Sequence, residues 1–238
     1  MRGRQPSLRA ATSALVLLAA AGCATTATDP RDPFEGFNRA MYAFNDGLDE
    51  VALKPVSRAY KAVAPEPLRG MVRNFFANID DVFNGANNIL QGKFLDGWTD
   101  WFRVIVNTSL GVFGINDVAS DMGLEKHNED FGQTFAVWGV GDGPYLVLPF
   151  FGPYTLRDSG GLVLDWELDP VVRARPIALR NSLIATRYVS KRTDFLDASR
   201  MLDEAALDRY VFLRDAYLQR RRSLIYDGNP PRERRPQE

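Results

Sequence analysis

The 238-residue chain has one cysteine and one histidine. A single Cys excludes an internal disulfide and a thiolate metal cluster, and a single His leaves no imidazole set for a metal centre. Neither sign of charge is in excess, with 29 Lys and Arg against 30 Asp and Glu. That balance hides a pattern. Residues 1–22 carry three Arg and no acid, and residues 220–238 carry six Arg and three acids, so the body between them is near −7. Such a body lacks the basic face that nucleic-acid binding requires. Long apolar runs are missing too. After Cys23 nothing approaches the ~18–20 consecutive apolar residues of a membrane-spanning helix.

Enzyme signatures are equally scarce. The glycines at 139, 141 and 143 alternate and do not make a dinucleotide fingerprint, and no phosphate-binding P-loop exists. Ser159 lacks the leading Gly of a nucleophile elbow. His127 lies in a charged stretch (EKHNED) and reads as a solvated loop residue. Asp165, Glu167 and Asp169 alternate in DWELDP and read as loop acids rather than a metal or glycosidase set. Arg220, Arg221 and Arg222 suit a helix C-terminus. No catalytic residue, metal ligand or cofactor is therefore expected, and the chain is not read as an enzyme.

What is present begins with an address. Arg2, Arg4 and Arg9 precede a short apolar stretch over 14–21, the layout of a signal peptide. Ala20-Ala21-Gly22-Cys23 resembles a bacterial lipobox, although Ala20 stands where Leu is usual. Cys23 is thus the expected lipidation site and mature N-terminus. Ala24 follows it in place of the Asp that retains enteric lipoproteins at the inner membrane, so the outer membrane is the expected destination. The organisation read from the sequence is a signal peptide over 1–22, a lipidated tether over 23–31, a helical domain over 32–227, and a Pro-rich, charged, disordered tail over 228–238.

The domain itself is read as all-α. Asp32 and Pro33 read as the cap and first turn of a helix on which Phe34, Phe37, Met41, Phe44 and Leu48 recur at spacings of three and four. Lys54-Pro55 reads as a break before a short helix over 56–64, with Val56, Ala59, Tyr60 and Val63 as its buried face. Another helix starts at Pro65-Glu66-Pro67, with Leu68, Met71, Val72, Phe75, Phe76 and Ile79 on one face. Further helices are expected over 81–90, 94–109, 130–137, 155–164, 176–195 and 204–222. On 94–109, Trp98, Trp101, Phe102 and Ile105 share a side, while Val104 and Val106 make its far end two-sided. Only 145–148 reads as extended. Helices of ~10–16 residues span ~15–24 Å, short of a ~30 Å hydrocarbon core. The plentiful aromatics, 15 Phe, 8 Tyr and 4 Trp, fit either a water-facing protein's core or helices seated in one leaflet.

Three long strings carry a resemblance. DPFEGFNRAMYAFN (32–45), FGQTFAVWGVGDGPYLVLPFFGPYTLRD (131–158) and RDAYLQRR (214–221) resemble the MlaA family, also called VacJ, over nearly the whole mature chain. Tyr154 stands where a small residue is expected, and Arg209 where Pro is expected. The resemblance implies a ring-like bundle of short amphipathic helices embedded in the periplasmic leaflet of the outer membrane. It also implies phospholipid as cargo, with a trimeric porin and a periplasmic lipid carrier as partners. Lipid removed from the outer leaflet would preserve membrane asymmetry. Within that frame the strip Leu146, Val147, Leu148, Phe150 and Phe151, bounded by Gly-Pro pairs, is either a lipid-contacting loop or a packed core plug. Arg157 and Asp158 are either a channel-mouth pair or a structural salt bridge. The alternative for the whole chain is a structural lipoprotein that scaffolds an envelope assembly without a lipid channel.

Overall fold

The computed structural model describes residues 29–232. The expected signal peptide and the expected lipidation site, Cys23, lie outside the described residues. The elements run in the order α1 (Glu35–Leu48), α2 (Lys54–Val63), α3 (Glu66–Leu90), α4 (Phe94–Ser109), α5 (Val118–Asp121), α6 (Phe131–Val137), β1 (Tyr145–Leu148), β2 (Gly152–Thr155), α7 (Leu156–Leu168), α8 (Pro170–Arg173), α9 (Ile177–Asp194), α10 (Leu196–Ala205) and α11 (Arg209–Ile225). The fold is all-α apart from one antiparallel hairpin, in which Tyr145 pairs with Thr155 and Leu148 with Gly152. No helix among the described residues is long and apolar enough to cross a membrane.

Several expected boundaries move for physical reasons. Lys54-Pro55 does not break the chain. A π-helical turn over Asp49–Leu53 joins α1 to α2, and Pro55 falls in the first turn of α2, where its missing N–H costs little. The two helices expected between 65 and 90 are one 25-residue helix, because neither Gly nor Pro interrupts the chain between Met71 and Asn84. That helix is longer than the expected short elements, although its polar face keeps it from being a span. Asp165 and Glu167, read as loop acids, lie inside α7. Asp130, Thr155 and Asp208 cap α6, α7 and α11 through their side chains, whereas Asp32 does not cap α1.

Both ends of the described segment contact the body. Tyr145 N–H donates to the Arg31 carbonyl at 2.9 Å, and Asp29 lies 3.1 Å from Arg214. Arg31 beside Asp29 holds that carboxyl down at about 2. Residues 29–31, assigned above to the tether, thus already contact the fold. Past α11, Gly228 N–H donates to the Ser223 carbonyl and Arg222 reaches the Pro231 carbonyl, so the first residues of the tail turn back on the helix.

The distribution of polarity departs most from that of a water-soluble domain. Among the described residues, nine apolar side chains are buried against twenty-two polar or charged ones. Thirty-six large apolar side chains are exposed. The stripes read from the sequence exist, but several face outward. Val56 and Val63, expected inside, are exposed, while Lys54 and Ser57 of the same helix are buried. On α1, Phe44 and Leu48 are exposed, as is Phe34 just before it, while Glu35 and Asn38 are buried. The main buried apolar cluster is small. Tyr145, Val147 and Tyr210 pack with Met41 and Tyr217 where the hairpin meets α1 and α11.

Candidate functional site

The polar interior is built on α3 and α4. Along α3 the buried positions are Phe76 and then Asn78, Asp81, Asn84, Gly85, Asn87 and Asn88, a polar stripe at helical spacing. Along α4 they are Gly97, Asp100, Arg103, Val106 and Asn107. The helices approach at paired glycines. A Cβ on Gly85 would sit 2.9 Å from the Gly97 carbonyl oxygen, and one on Gly97 would sit 2.7 Å from Ile89. This contact is the small-residue packing that lets helix backbones come close.

Between them most polar groups satisfy one another, although the buried Asn78 Oδ1 has no partner among the described residues. Arg103, 1% exposed, donates from Nε to Asp81 at 3.1 Å, from Nη2 to Asp117 at 2.9 Å and from Nη1 to the Leu124 carbonyl at 2.6 Å. Lys126 and the Asn84 amide, at 3.1 Å, also donate to Asp81. Asn88 donates to Asp100 at 2.8 Å. His127, read as a solvated loop residue, has Nδ1 3.1 Å from Asp100 instead. Burial raises the Asp100 carboxyl, and the bonds from His127 and Asn88 oppose it.

The opposite faces of the same helices are apolar and open. On α4 the outward residues are Phe94, Leu95, Trp98, Phe102 and Ile105, followed by Leu110, Val112 and Phe113 past its end. Leu95 is 83% exposed. Val112 and Phe113 hold positive φ, a conformation that β-branched and bulky residues rarely adopt.

A second polar cluster joins α6, α7 and α11. Arg221 reaches Asp130 at 2.5 and 2.6 Å and Asp158 at 2.9 Å. The Tyr217 hydroxyl donates to Asp158 at 2.7 Å, and Arg157 pairs with Asp158 at 2.8 Å and with Asp142. Burial pushes the Asp158 carboxyl up, but Arg221, Tyr217 and Arg157 outweigh it and hold it below the ordinary range. The pair singled out in the sequence is therefore brought together and buried. Arg157 also lines a cavity of about 290 Å³ with Asp142, Arg221 and Arg222, whereas Asp158 sits behind it.

The hydrophobic strip is divided by the hairpin. Val147 is 2% exposed and belongs to the core cluster, while Leu146 and Leu148 are half-buried. Phe150, at positive φ in the turn, is 65% exposed and stacks edge-on against Phe44 at 5.4 Å. Phe151 leans on Trp166 at 5.6 Å and lines a different cavity. That cavity, also about 290 Å³, lies among the hairpin, α7, α8 and α9. Its apolar wall includes Phe151, Trp166 and Ile184, and its polar wall includes Asp165, Arg187 and Lys191. Sequence reading missed α9 as a wall of this cavity. Its only local signal was the Arg187 and Lys191 spacing of one helical turn.

Comparison with known proteins agrees with this architecture. The family model described as MlaA lipoprotein matches residues 30–224. The chain is 35% identical to the "Intermembrane phospholipid transport system lipoprotein MlaA" of Escherichia coli (strain K12), covering 100% of this chain and 93% of that protein. A protein of the same description from Haemophilus influenzae is 28% identical, with 91% of this chain and 90% of that one covered. A solved structure described as "Structural basis for maintenance of bacterial outer membrane lipid asymmetry" superposes with a TM-score of 0.71 at 33% identity, covering 83% of this chain and 99% of that one. With a matching family model, a relative alike over the whole chain and a shared fold, this chain belongs to the MlaA lipoprotein family.

Proposed function

We propose that the protein is a lipid-anchored component of the outer membrane that takes misplaced phospholipid out of the outer leaflet for return across the envelope. The observation that carries this is the reversed polarity of the fold: α1, α2 and α4 turn apolar stripes outward and polar stripes inward. In water such a surface would be costly, at ~25 cal/mol for each Å² of apolar area left wet. In lipid it is the low-energy arrangement, and the backbone bonds closed within each helix suit a medium without water. A headgroup crossing bare hydrocarbon would lose its hydration at a cost of several kcal/mol. Polar walls replace that hydration with fixed dipoles and charges.

The role is transport, not catalysis. The printed names of the relatives support phospholipid as cargo, and Cys23, once acylated, supplies the anchor. A trimeric porin and a periplasmic lipid carrier are the partners that the family resemblance implies. The seat is the periplasmic leaflet, matching helices that lie in one leaflet and do not cross.

The test is genetic. Deleting the gene should raise outer-leaflet phospholipid, read by a surface-acting acylation reporter, and the intact gene should restore it. Unchanged outer-leaflet phospholipid in the deletion strain would leave only a scaffolding role.

A further inference from the structure

The cavity among the hairpin, α7, α8 and α9 holds two acids with different fates. Asp169 accepts from Arg187 at 2.5 Å and from Val171 N–H at 2.8 Å. Among the described residues, Asp165, one helical turn earlier, accepts only the Phe131 N–H, at 3.3 Å. Among the described residues no Lys or Arg is in ion-pair reach of Asp165. Arg221, whose charge bears on it, is committed to Asp130 and Asp158.

We propose that this cavity seats the headgroup of a zwitterionic phospholipid with a primary ammonium, the ammonium at Asp165 and the phosphate toward Lys191 and Arg187. This rests on the transport reading above and adds a headgroup preference to it.

Three observations support the seat. First, Asp165 is a half-buried carboxylate without a cation, and an ammonium can donate to the oxygens that Phe131 leaves free. Burial and then repulsion from Asp130 push its carboxyl up to about 7, the behaviour of an acid that lacks its counter-charge. Second, the local charge rejects a net anion. Asp80, Asp165 and Asp169 stand against Arg187 and Lys191, with Asp80 itself paired to Arg187, and the neighbouring Asp130 is already matched by Arg221. Tyr154 is held neutral chiefly by burial, as is Tyr188, so neither adds charge. A headgroup that is both anion and cation fits this wall better than one that is only anionic. Third, the spacing fits. Asp169 follows Asp165 by one turn, about 6 Å, and holds Arg187, so the cation offered to the phosphate stands about that far from Asp165, a reach comparable to the two methylenes that separate phosphate from ammonium in an ethanolamine headgroup. Phe151, Leu162, Trp166 and Ile184 then offer apolar wall to the first acyl methylenes.

The experiment uses the full acylated protein in detergent, exchanged against vesicles holding equal amounts of ethanolamine and glycerol phospholipids. Retained lipid is counted by mass spectrometry. The wild type should retain about threefold or more of the ethanolamine lipid over the glycerol lipid near pH 8. Asp165→Asn keeps the shape and the acceptor for Phe131, so it should fold, retain lipid and bring the ratio to about one. Lowering the wild type to about pH 5.5, which protonates Asp165, should flatten the ratio in the same way without any substitution. Equal retention of both lipids by the wild type, or an unchanged ratio in Asp165→Asn and at low pH, would overturn the headgroup assignment while leaving transport intact. Loss of vesicle lipid loading with uptake of free phosphoethanolamine instead would assign the cavity to a soluble ester and overturn it as well. If neither protein retains any lipid, the transport reading itself fails.

Discussion

Arg103 on α4 and Asp81 on α3 form an ion pair closed off from solvent, with Nε 3.1 Å from Oδ2 and each side chain 1% exposed. An ion pair this deep is weak support for stability taken whole, because both charges lose their hydration. Its consequence lies in what breaking it leaves behind. Arg103→Leu leaves Asp81 to Lys126 and the Asn84 amide, removes a partner of Asp117 and takes the Arg103 bond from the Leu124 carbonyl. The variant should lose about 3–5 kcal/mol of stability, read as a fall in the thermal midpoint in detergent. An unchanged midpoint would show that the polar interior does not hold α3 to α4.

The glycine contact gives a paired test. Gly85→Ala places a methyl 2.9 Å from the Gly97 carbonyl oxygen and closer still to the Trp101 ring, so the helices must separate. Gly47→Ala, on α1, meets nothing within 4 Å. The first should destabilise by about 1–3 kcal/mol through overpacking, and the second should stabilise by about 0.5–1 kcal/mol through helix propensity. Equal effects would contradict the close approach of α3 and α4.

Much of this architecture was legible in the sequence. The three-and-four spacing located most helices, and Asp130 and Tyr145–Leu148 fell where expected. Which way each stripe faces was not legible, because an amphipathic pattern is the same whether its apolar side meets a core or a bilayer. Val63 was placed inside for that reason and is 84% exposed. The complementary signal was the polar stripe Asn78, Asp81, Asn84 and Asn88, too regular for a solvated face. Asp32 was out of reach for another reason. It was read as a helix cap, but its partners beyond Asn38 are Tyr210 and Arg214, brought from the far end of the chain. Local pattern carries no information on such contacts.

Hairpin substitutions should separate path from core. Phe150→Asp alters an exposed turn residue and should leave abundance unchanged while reducing removal of outer-leaflet phospholipid. Val147→Asp buries a charge in the Tyr145–Tyr210 cluster and should cost more than about 3 kcal/mol, depleting the protein. Immunoblots beside the surface acylation reporter distinguish the two. Full activity of a stable Phe150→Asp protein would exclude the turn from the lipid path.

Asp165 also sets a pH dependence of stability. Its folded value near 7 exceeds its unfolded value of 3.8, so its contribution is intact below about 4 and is lost as pH rises through 7. Asp165→Asn removes that loss. Allowing for its partial exposure, the variant should be more stable than wild type by roughly 2 kcal/mol near pH 8, with the gap closing toward about pH 4. Thermal midpoints across that window check the sign. A gap that widens on acidification would contradict it.

The outward face of α4 should bind lipid directly. Leu95→Glu and Trp98→Glu alter residues that touch solvent in the isolated fold, so stability in detergent should shift by no more than about 0.5 kcal/mol. Vesicle binding should fall by about tenfold or more for the pair, since two large apolar groups leave the bilayer and two charges would enter it. Equal binding would place another face against the membrane.

The proposed seat in lipid requires that the fold bind a bilayer without its acyl anchor. Flotation of a Cys23→Ser protein, directed to the periplasm by a cleaved signal and then mixed with phospholipid vesicles, tests it most directly. The unacylated protein should float with the vesicles and need detergent to stay monodisperse without them. A soluble monomer that remains at the bottom of the gradient would contradict it.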